Sequence, residues 1–417
     1  MIARAENLER GRAIWDRVSS PRWIGWIGIV LGVLALWLAL PPEEIRSAPI
    51  PVALGIVAVA AGIWALSRHE RRIGGGAVVA GLIGIGGALA AMQAQTDRLD
   101  SVFVWSPIIA TTLVLATPLT FAAMGGIFSE RSGVVNIGLE GMMLMGAFFG
   151  AYGADKTGSW VGGLVVGVAA GGALALVYAF FAIHLRSDQI VGGTAVNFLA
   201  LGITGYLYND VYGNKGTPGN LPAVPNFNRL GHWLDKIPPH GLGHFLAGSF
   251  GSLNLLVWVS LILLPIVYVA LFRTSIGLRL RSVGEHPRAA DTVGISVYRT
   301  RYVAVTLSGM LAALGGVFLS IGYVNSFSEN LTAGRGFIAL AAVIFGGWRP
   351  FGAFAACLLF GFSNALALRL PDLSASSSAA WPTLFQALPY VLTLIAVAGI
   401  IGKSIPPAAD GQPYEKQ

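Results

Sequence analysis

Apolar stretches of about 17 to 25 residues recur along the whole chain, and each is long enough to cross about 30 Å of hydrocarbon as a helix. Only 11% of the residues are charged, against roughly 25% in ordinary soluble domains. Backbone polar groups find no water inside a bilayer, so a helix that satisfies its own hydrogen bonds is the expected spanning element. The sequence therefore predicts an all-α, polytopic transmembrane helical bundle of about 10–12 spans.

Apolar segments mark the predicted spans. They cover residues 23–41, 50–66, 74–92, 103–126, 134–152, 160–184, 190–208, 253–272, 302–323, 336–346, 351–369 and 384–402. The segment at 336–346 is too short to cross a bilayer alone, so it is either a half-helix or part of a broken one. The bundle is therefore expected to contain one or two broken or half-helices.

The positions of the cations predict the orientation, because Lys and Arg resist translocation. With the N-terminus inside, nineteen of the 27 Lys and Arg residues fall on the cytoplasmic side, including six Arg in 273–301 and five in 1–22. Both termini are therefore expected in the cytoplasm, 1–22 as an N-terminal segment and 403–417 as a tail. Topology accounts for the net charge of +7, so no nucleic-acid partner is expected.

Two long loops interrupt the apolar rhythm. The loop at 209–252 falls outside by parity, and it suits a docking surface, a short interfacial helix or a passive tether. The cytoplasmic loop at 273–301 is expected to hold a short helix from His286 to Val293, with Pro287 in its first turn and Glu285 near its N-terminus. Its small side chains favour close docking by another protein, whereas its arginines alone would also fit a topogenic role.

A pair of Gly-rich, polar interruptions lies in the two halves of the chain, at 129–141 and at 334–350. Paired interruptions of this kind are typical of the translocation pathway in internally repeated transporters. Cys357 is the only cysteine and lies in an apolar span, so neither a disulfide framework nor a thiolate metal site is expected. The sequence therefore favours a transporter without a bound metal.

Two stretches resemble the permease subunits of bacterial ABC importers. One contains ERSGVVNIGLEGMMLMGA from Glu130 onward, and the other is GLRLRSVGEHPRAADTVGI from Gly277 to Ile295. The likeness is to the ribose and branched-chain amino acid permeases, and within them to the nucleoside and simple-sugar branch that works with basic membrane lipoproteins. The resemblance covers about 103–402, so the three spans in 23–102 are an N-terminal addition.

The resemblance implies a permease subunit of an ATP-driven importer for nucleosides in the bacterial plasma membrane, with simple sugars as the alternative substrates. The implied partners are an ATP-binding subunit, a second and different permease chain, an extracytoplasmic binding lipoprotein and membrane lipid. The chain has no GxxxxGK[ST] phosphate loop, so ATP is expected to be hydrolysed by the partner, with no cofactor bound here.

In such permeases a cytoplasmic coupling helix docks on the ATP-binding subunit. Carried onto the matching positions, the resemblance implies that this contact is formed by Gly284, Glu285, Pro287, Ala289, Ala290 and Gly294.

Polar residues inside apolar spans are the candidates for the substrate pathway. Asn136 and Glu140 lie four residues apart, so they could share one helix face and bind a ligand. Alternatively, Glu140 caps a helix start or pairs with Arg131. Asn197 and Asn364 could each bind a nucleobase edge or join two helices.

The sequence fits three other classes of protein less well. An ion-coupled secondary transporter usually needs acidic or His relays inside the membrane, and here Glu140 is the nearest example. A membrane enzyme would need clustered His, Asp or Glu, whereas the six His are scattered. A receptor or scaffold would bind a partner without moving a solute. The sequence favours a permease that is not itself an enzyme.

Overall fold

The computed structural model describes residues 20–39, 49–93, 104–213, 216–219, 221–237, 240–369 and 404–415. Within these residues the chain is helical, and extended pairing is limited to one isolated bridge between Asn226 and Asn254. The helices are α1 (Pro21–Ala39), α2 (Pro49–Ser67), α3 (Arg71–Gln93), α4 (Trp105–Arg131), α5 (Leu139–Thr157), α6 (Trp160–Ala179), α7 (Gln189–Tyr212), α8 (Asn228–Leu234), α9 (His240–Phe250), α10 (Leu255–Arg273), α11 (Ser275–Glu285), α12 (Pro287–Thr292), α13 (Val297–Val317), α14 (Arg335–Phe345) and α15 (Pro350–Arg369).

Among the described residues, seven helices are long and apolar enough to cross a membrane, and three shorter apolar helices accompany them. Each predicted span up to 351–369 overlaps a helix. The last one, at 384–402, lies outside the described residues. The predicted polytopic helical bundle is therefore confirmed.

The chain divides into two compact units, and the first contains residues 1–108 and 363–403. Its described helices α1, α2 and α3 pack through glycines. A Cβ atom added at Gly62 would lie 2.6 Å from the backbone nitrogen of Val78, and one at Gly32 would lie 2.6 Å from that of Gly81. Backbones approach this closely only where side chains are very small, which is a common packing mode of membrane helices.

The second unit contains residues 109–362 and 404–417. Its centre is the packing of α5 against α6 and α13. A Cβ atom added at Gly316 would lie 1.8 Å from the carbonyl oxygen of Met143, and one at Gly146 would lie 2.2 Å from that of Ala313. The glycines of α5 and α13 therefore allow the two helices to touch through their backbones.

Several elements of this unit are interrupted. A link at 132–138 without helical structure separates α4 from α5, so α5 begins at Leu139 and not near 134 as predicted. α6 and α13 both end in π-helical turns, Phe180–His184 and Phe318–Val324. α14 has 11 residues, which corresponds to about 16 Å at 1.5 Å per residue. The short segment is therefore a half-helix.

Both long loops contain helices. The loop at 209–252 holds α8 and α9, and His244 Nδ1 of α9 lies 2.7 Å from Oδ1 of Asp235 at the end of α8. Trp233 of α8 is 66% exposed. The loop at 273–301 contains α12 at its centre with Pro287 as its first residue, as predicted, but also α11 and the first turn of α13.

Candidate functional site

The two sequence interruptions meet at the carboxylate of Glu140. Glu140 lies in the first turn of α5 and is 7% exposed. Its Oε1 accepts hydrogen bonds from Thr332 Oγ1 at 2.6 Å and from the backbone N–H of Gly334 at 2.8 Å. Its Oε2 accepts from the backbone N–H of Gly336 at 2.6 Å. A carboxylate carried in the first turn of α5 therefore caps the N-terminal end of α14. Negative charge is favourable at both of these helix starts.

Glycine is required where α14 approaches Glu140. A Cβ atom added at Gly336 would lie 2.5 Å from both the backbone nitrogen and the Cα of Glu140. Gly334 has φ +82°, in the left-handed region that favours glycine. The GRG sequence at 334–336 therefore permits the contact between the two helix starts.

The side-chain amide of Asn197 secures the same helix start from α7. Its Oδ1 accepts a hydrogen bond of 2.7 Å from the N–H of Gly141, and its Nδ2 donates one of 3.0 Å to the carbonyl of Ile137. Both ends of the amide are used between α7 and the beginning of α5. This geometry favours the helix-joining alternative for Asn197.

Asn136 lies in the link before α5 and is fully buried. Its Nδ2 donates to Ser308 Oγ on α13 at 3.0 Å. Its Oδ1 is buried and has no hydrogen-bond partner among the described residues. Asn136 therefore keeps one free acceptor, but a ligand would reach it only after the surrounding helices separate.

The structure thus brings three of the four pathway candidates together at the start of α5. The fourth candidate, Asn364, is half-buried near the end of α15, in the stretch assigned to the other compact unit. The geometry favours the capping alternative for Glu140, with the difference that the capped helix is α14, because α5 itself has no side-chain cap. The Arg131 alternative does not hold, because Arg131 lies 3.9 Å from Glu285 and donates to the carbonyl of Trp348 at 3.2 Å.

The two interruptions meet a second time at the end of α4. Glu130 is 2% exposed, and its Oε2 accepts a hydrogen bond from Trp348 Nε1. Arg301 of α13 is 1% exposed and donates from Nε to the carbonyl of Ser132 at 3.2 Å. These residues form a buried polar cluster between α4, α13 and the turn after α14. Sequence reasoning missed it, because nothing in the sequence distinguishes Arg301 from the other five arginines of its loop.

The predicted coupling residues divide into an inner and an outer set. Gly284 is buried, and a Cβ atom there would lie 2.2 Å from the carbonyl oxygen of Arg131. Ala290 is 3% exposed and packs with Val283, Val297 and Tyr414. The backbone of Gly284 and the side chain of Ala290 are therefore packed against other segments of this chain.

The outer set contains Glu285, Ala289 and Gly294, which are exposed, while Pro287 is half-buried. Gly294 has φ +85° and follows the end of α12, a position where glycine is preferred. Glu285 Oε2 also accepts a hydrogen bond of 3.2 Å from the N–H of Ala408. Fewer residues are therefore exposed for docking than the sequence motif contains.

The interrupted helices, joined at a buried carboxylate within a polytopic bundle, are features of a membrane transport protein. A comparison with family models identifies the particular family: residues 108–397 match the branched-chain amino acid transport system permease component. The chain belongs to this family. It is a multi-pass membrane protein and an ABC transporter permease, and it is not an enzyme.

Three curated relatives align with this chain over most of their own length. The guanosine ABC transporter permease protein NupQ of Bacillus subtilis is 41% identical over 326 residues, which are 76% of this chain and 99% of the relative. The nucleoside ABC transporter permease protein NupC of Lactococcus lactis is 38% identical over 74% of this chain and 96% of its own. The putative glucose ABC transporter permease protein TsgC13 of Haloferax volcanii is 36% identical, over 64% and 78%.

No solved structure matches the chain. As an ABC permease subunit, the chain works with ATP-binding and substrate-binding partners.

Proposed function

We propose that this chain is the permease subunit of an ATP-driven importer of nucleosides in the bacterial plasma membrane. The observation that carries the proposal is the similarity to the two relatives named for guanosine and nucleoside transport. It extends over nearly the full length of both relatives, at 41% and 38% identity. Simple sugars are the second candidate, because a relative named for glucose is 36% identical.

The exposed face of α7 supports a pathway shared with a second permease chain. Of the seven candidate spans, α7 has the lowest mean hydropathy and also the smallest buried share. The exposed surface of α7 is mixed, with Thr194 beside Phe198 and Leu201, whereas α10 exposes Ile262, Ile266 and Val269. The face of α7 around Phe198 and Tyr206 therefore suits an aqueous path or a partner helix. The second permease is proposed to be a related but different chain.

The remaining parts of the assembly follow from the sides of the membrane that the cations predict. The exposed residues of α12 are proposed to dock on the ATP-binding subunit inside the cell, where ATP is hydrolysed. Helices α8 and α9 are proposed to receive an extracytoplasmic substrate-binding lipoprotein outside. Both termini are proposed to lie in the cytoplasm. The chain is proposed to bind no cofactor of its own and to form one half of the translocation pathway.

The test of the proposed function is uptake by proteoliposomes that contain the complete complex. We expect ATP-dependent uptake of radiolabelled guanosine, competed by unlabelled nucleosides and not by glucose. Competition by glucose alone would select the sugar alternative. Uptake that persists without the ATP-binding subunit and follows an imposed ion gradient would contradict the proposal in favour of a secondary transporter.

Neighbouring residues on α7 separate a pathway role from a structural one. Phe198 is 70% exposed, so Phe198→Ala is expected to lower uptake while leaving thermal unfolding of the purified complex unchanged. Asn197→Ala removes the acceptor for the N–H of Gly141, and a buried donor without a partner costs about 1–3 kcal/mol. It should therefore lower the unfolding temperature. Normal uptake by Phe198→Ala would remove this face of α7 from the pathway.

A further inference from the structure

The C-terminal residues 404–415, called here the C-terminal strap, pack against the buried polar cluster and against α11 and α12. Tyr414 is 6% exposed and completes the apolar cluster around Ala290. Ala409 is 4% exposed, and its N–H donates to the carbonyl of Gly284 at 2.9 Å. The neighbouring N–H of Ala408 donates to Glu285. The strap is therefore bonded to the end of α11, where α12 begins.

The same strap also contacts the two interrupted segments. Ser404 Oγ donates to the carbonyl of Ile344 at 2.6 Å, near the end of α14. The carbonyl of Gln412 accepts from Arg301 Nη1 at 3.0 Å, while Arg301 Nε holds the carbonyl of Ser132 in the link before α5. A Cβ atom added at Gly133 would lie 3.1 Å from the carbonyl oxygen of Ala409. The strap therefore joins α11 to both interruptions.

A half-buried carboxylate, that of Asp410, lies in the middle of the strap. Asp410 Oδ1 is buried and has no hydrogen-bond partner among the described residues. Burial raises the pKa of Asp410 above its usual range, although the N–H of Gly411 and the charges of Arg301 and Arg131 oppose that rise. Glu130 of α4 is the like charge that faces it. Because docking raises this pKa, the docked strap is favoured when Asp410 is protonated.

We propose that the C-terminal strap transmits movement of α11 and α12 to the link before α5 and to the end of α14. The inference rests on the proposed function, because it requires an ATP-binding subunit that moves α12. Two contacts would carry the movement of α12 to the strap and onward. The Tyr414 ring packs among Val283, Ala290 and Val297. The backbone of the strap accepts a hydrogen bond from Arg301. A displacement of α12 would therefore pull on the link before α5 through the strap.

The experiment measures uptake and ATP hydrolysis by the reconstituted complex for a strap variant and a control. Tyr414→Ala empties the centre of the apolar cluster, and we expect uptake per ATP hydrolysed to fall about tenfold, within the usual range of coupling between sites. ATP hydrolysis should persist. Glu415→Gln removes only the exposed ion pair with Arg186, and surface pairs of this kind contribute little, so its ratio should match the wild type.

A second strap variant tests whether a substitution that leaves the strap docked also leaves transport coupled to ATP hydrolysis. Asp410→Asn removes the buried charge at nearly constant volume, so the strap should stay docked and the ratio should stay normal. The proposal is overturned if Tyr414→Ala transports normally for each ATP hydrolysed. It is equally overturned if uptake and hydrolysis fall together because the ATP-binding subunit is lost from the purified complex.

Failure of the proposed function would appear differently, as a wild-type complex that takes up no nucleoside. The ratio for Tyr414→Ala could then still be measured with the solute that the wild-type complex does carry.

Discussion

Glu140→Ala is expected to abolish uptake and to lower sharply the yield of folded complex. The change leaves the Thr332 hydroxyl and the N–H groups of Gly334 and Gly336 without their acceptor. A buried donor without a partner costs about 1–3 kcal/mol, so three of them remove a large part of a typical stability of about 5–15 kcal/mol. Thermal unfolding in detergent and the amount of monodisperse protein measure the effect.

Glu329 provides the matched control for this prediction. Glu329 is exposed and accepts a hydrogen bond of 2.8 Å from Asn209 Nδ2, so water can replace that contact when Glu329→Ala is made. The control should fold and transport as the wild type does. If Glu140→Ala instead folded normally and transported a different set of solutes, Glu140 would be a ligand-binding residue and not a structural one.

The positions of the spans could be predicted from the sequence because hydrophobic length is a local property. A stretch of about 20 apolar residues requires no knowledge of its neighbours to be identified as a span. The half-helix α14 followed from the same rule, since 336–346 is too short to cross. Helix ends were less accurate where polar residues continue a helix, as at Val297 to Tyr302, because hydropathy does not detect a helix outside the hydrocarbon.

The partner of Glu140 could not be predicted, because it lies 192 to 196 residues away in the chain. A local pattern offers Arg131 as the nearest opposite charge, yet the structure directs Arg131 towards Glu285 and Trp348. The sequence did indicate that 129–141 and 334–350 are related interruptions. Only the fold shows that one carboxylate joins them.

Small residues in the coupling loop have two meanings that sequence alone does not separate. A glycine or alanine permits close approach of another subunit, and it equally permits close approach within the chain. Gly284 serves the second purpose, since the carbonyl group of Arg131 and the backbone nitrogen of Gly133 occupy the space beside it. The tail at 403–417 gave no apolar pattern, so its packing against the same loop was not predicted.

The adjacent alanines of α12 allow the docking surface to be tested with one chemical change at two positions. Ala289 is exposed and Ala290 is 3% exposed. Ala289→Asp is expected to abolish uptake and binding of the ATP-binding subunit while the protein stays folded, because the new charge would be buried without a partner at the interface. Co-purification of the ATP-binding subunit and thermal unfolding measure the two effects.

Ala290→Asp places the same carboxylate in the apolar cluster with Val297 and Tyr414, so it is expected to lower the unfolding temperature as well. Loss of the ATP-binding subunit without loss of stability should therefore be seen for Ala289→Asp alone. If Ala289→Asp kept the subunit and transported normally, α12 would not be the docking element. The contact with the ATP-binding subunit would then have to be sought on another cytoplasmic segment, because the side chain of Ala290 is already enclosed by this chain.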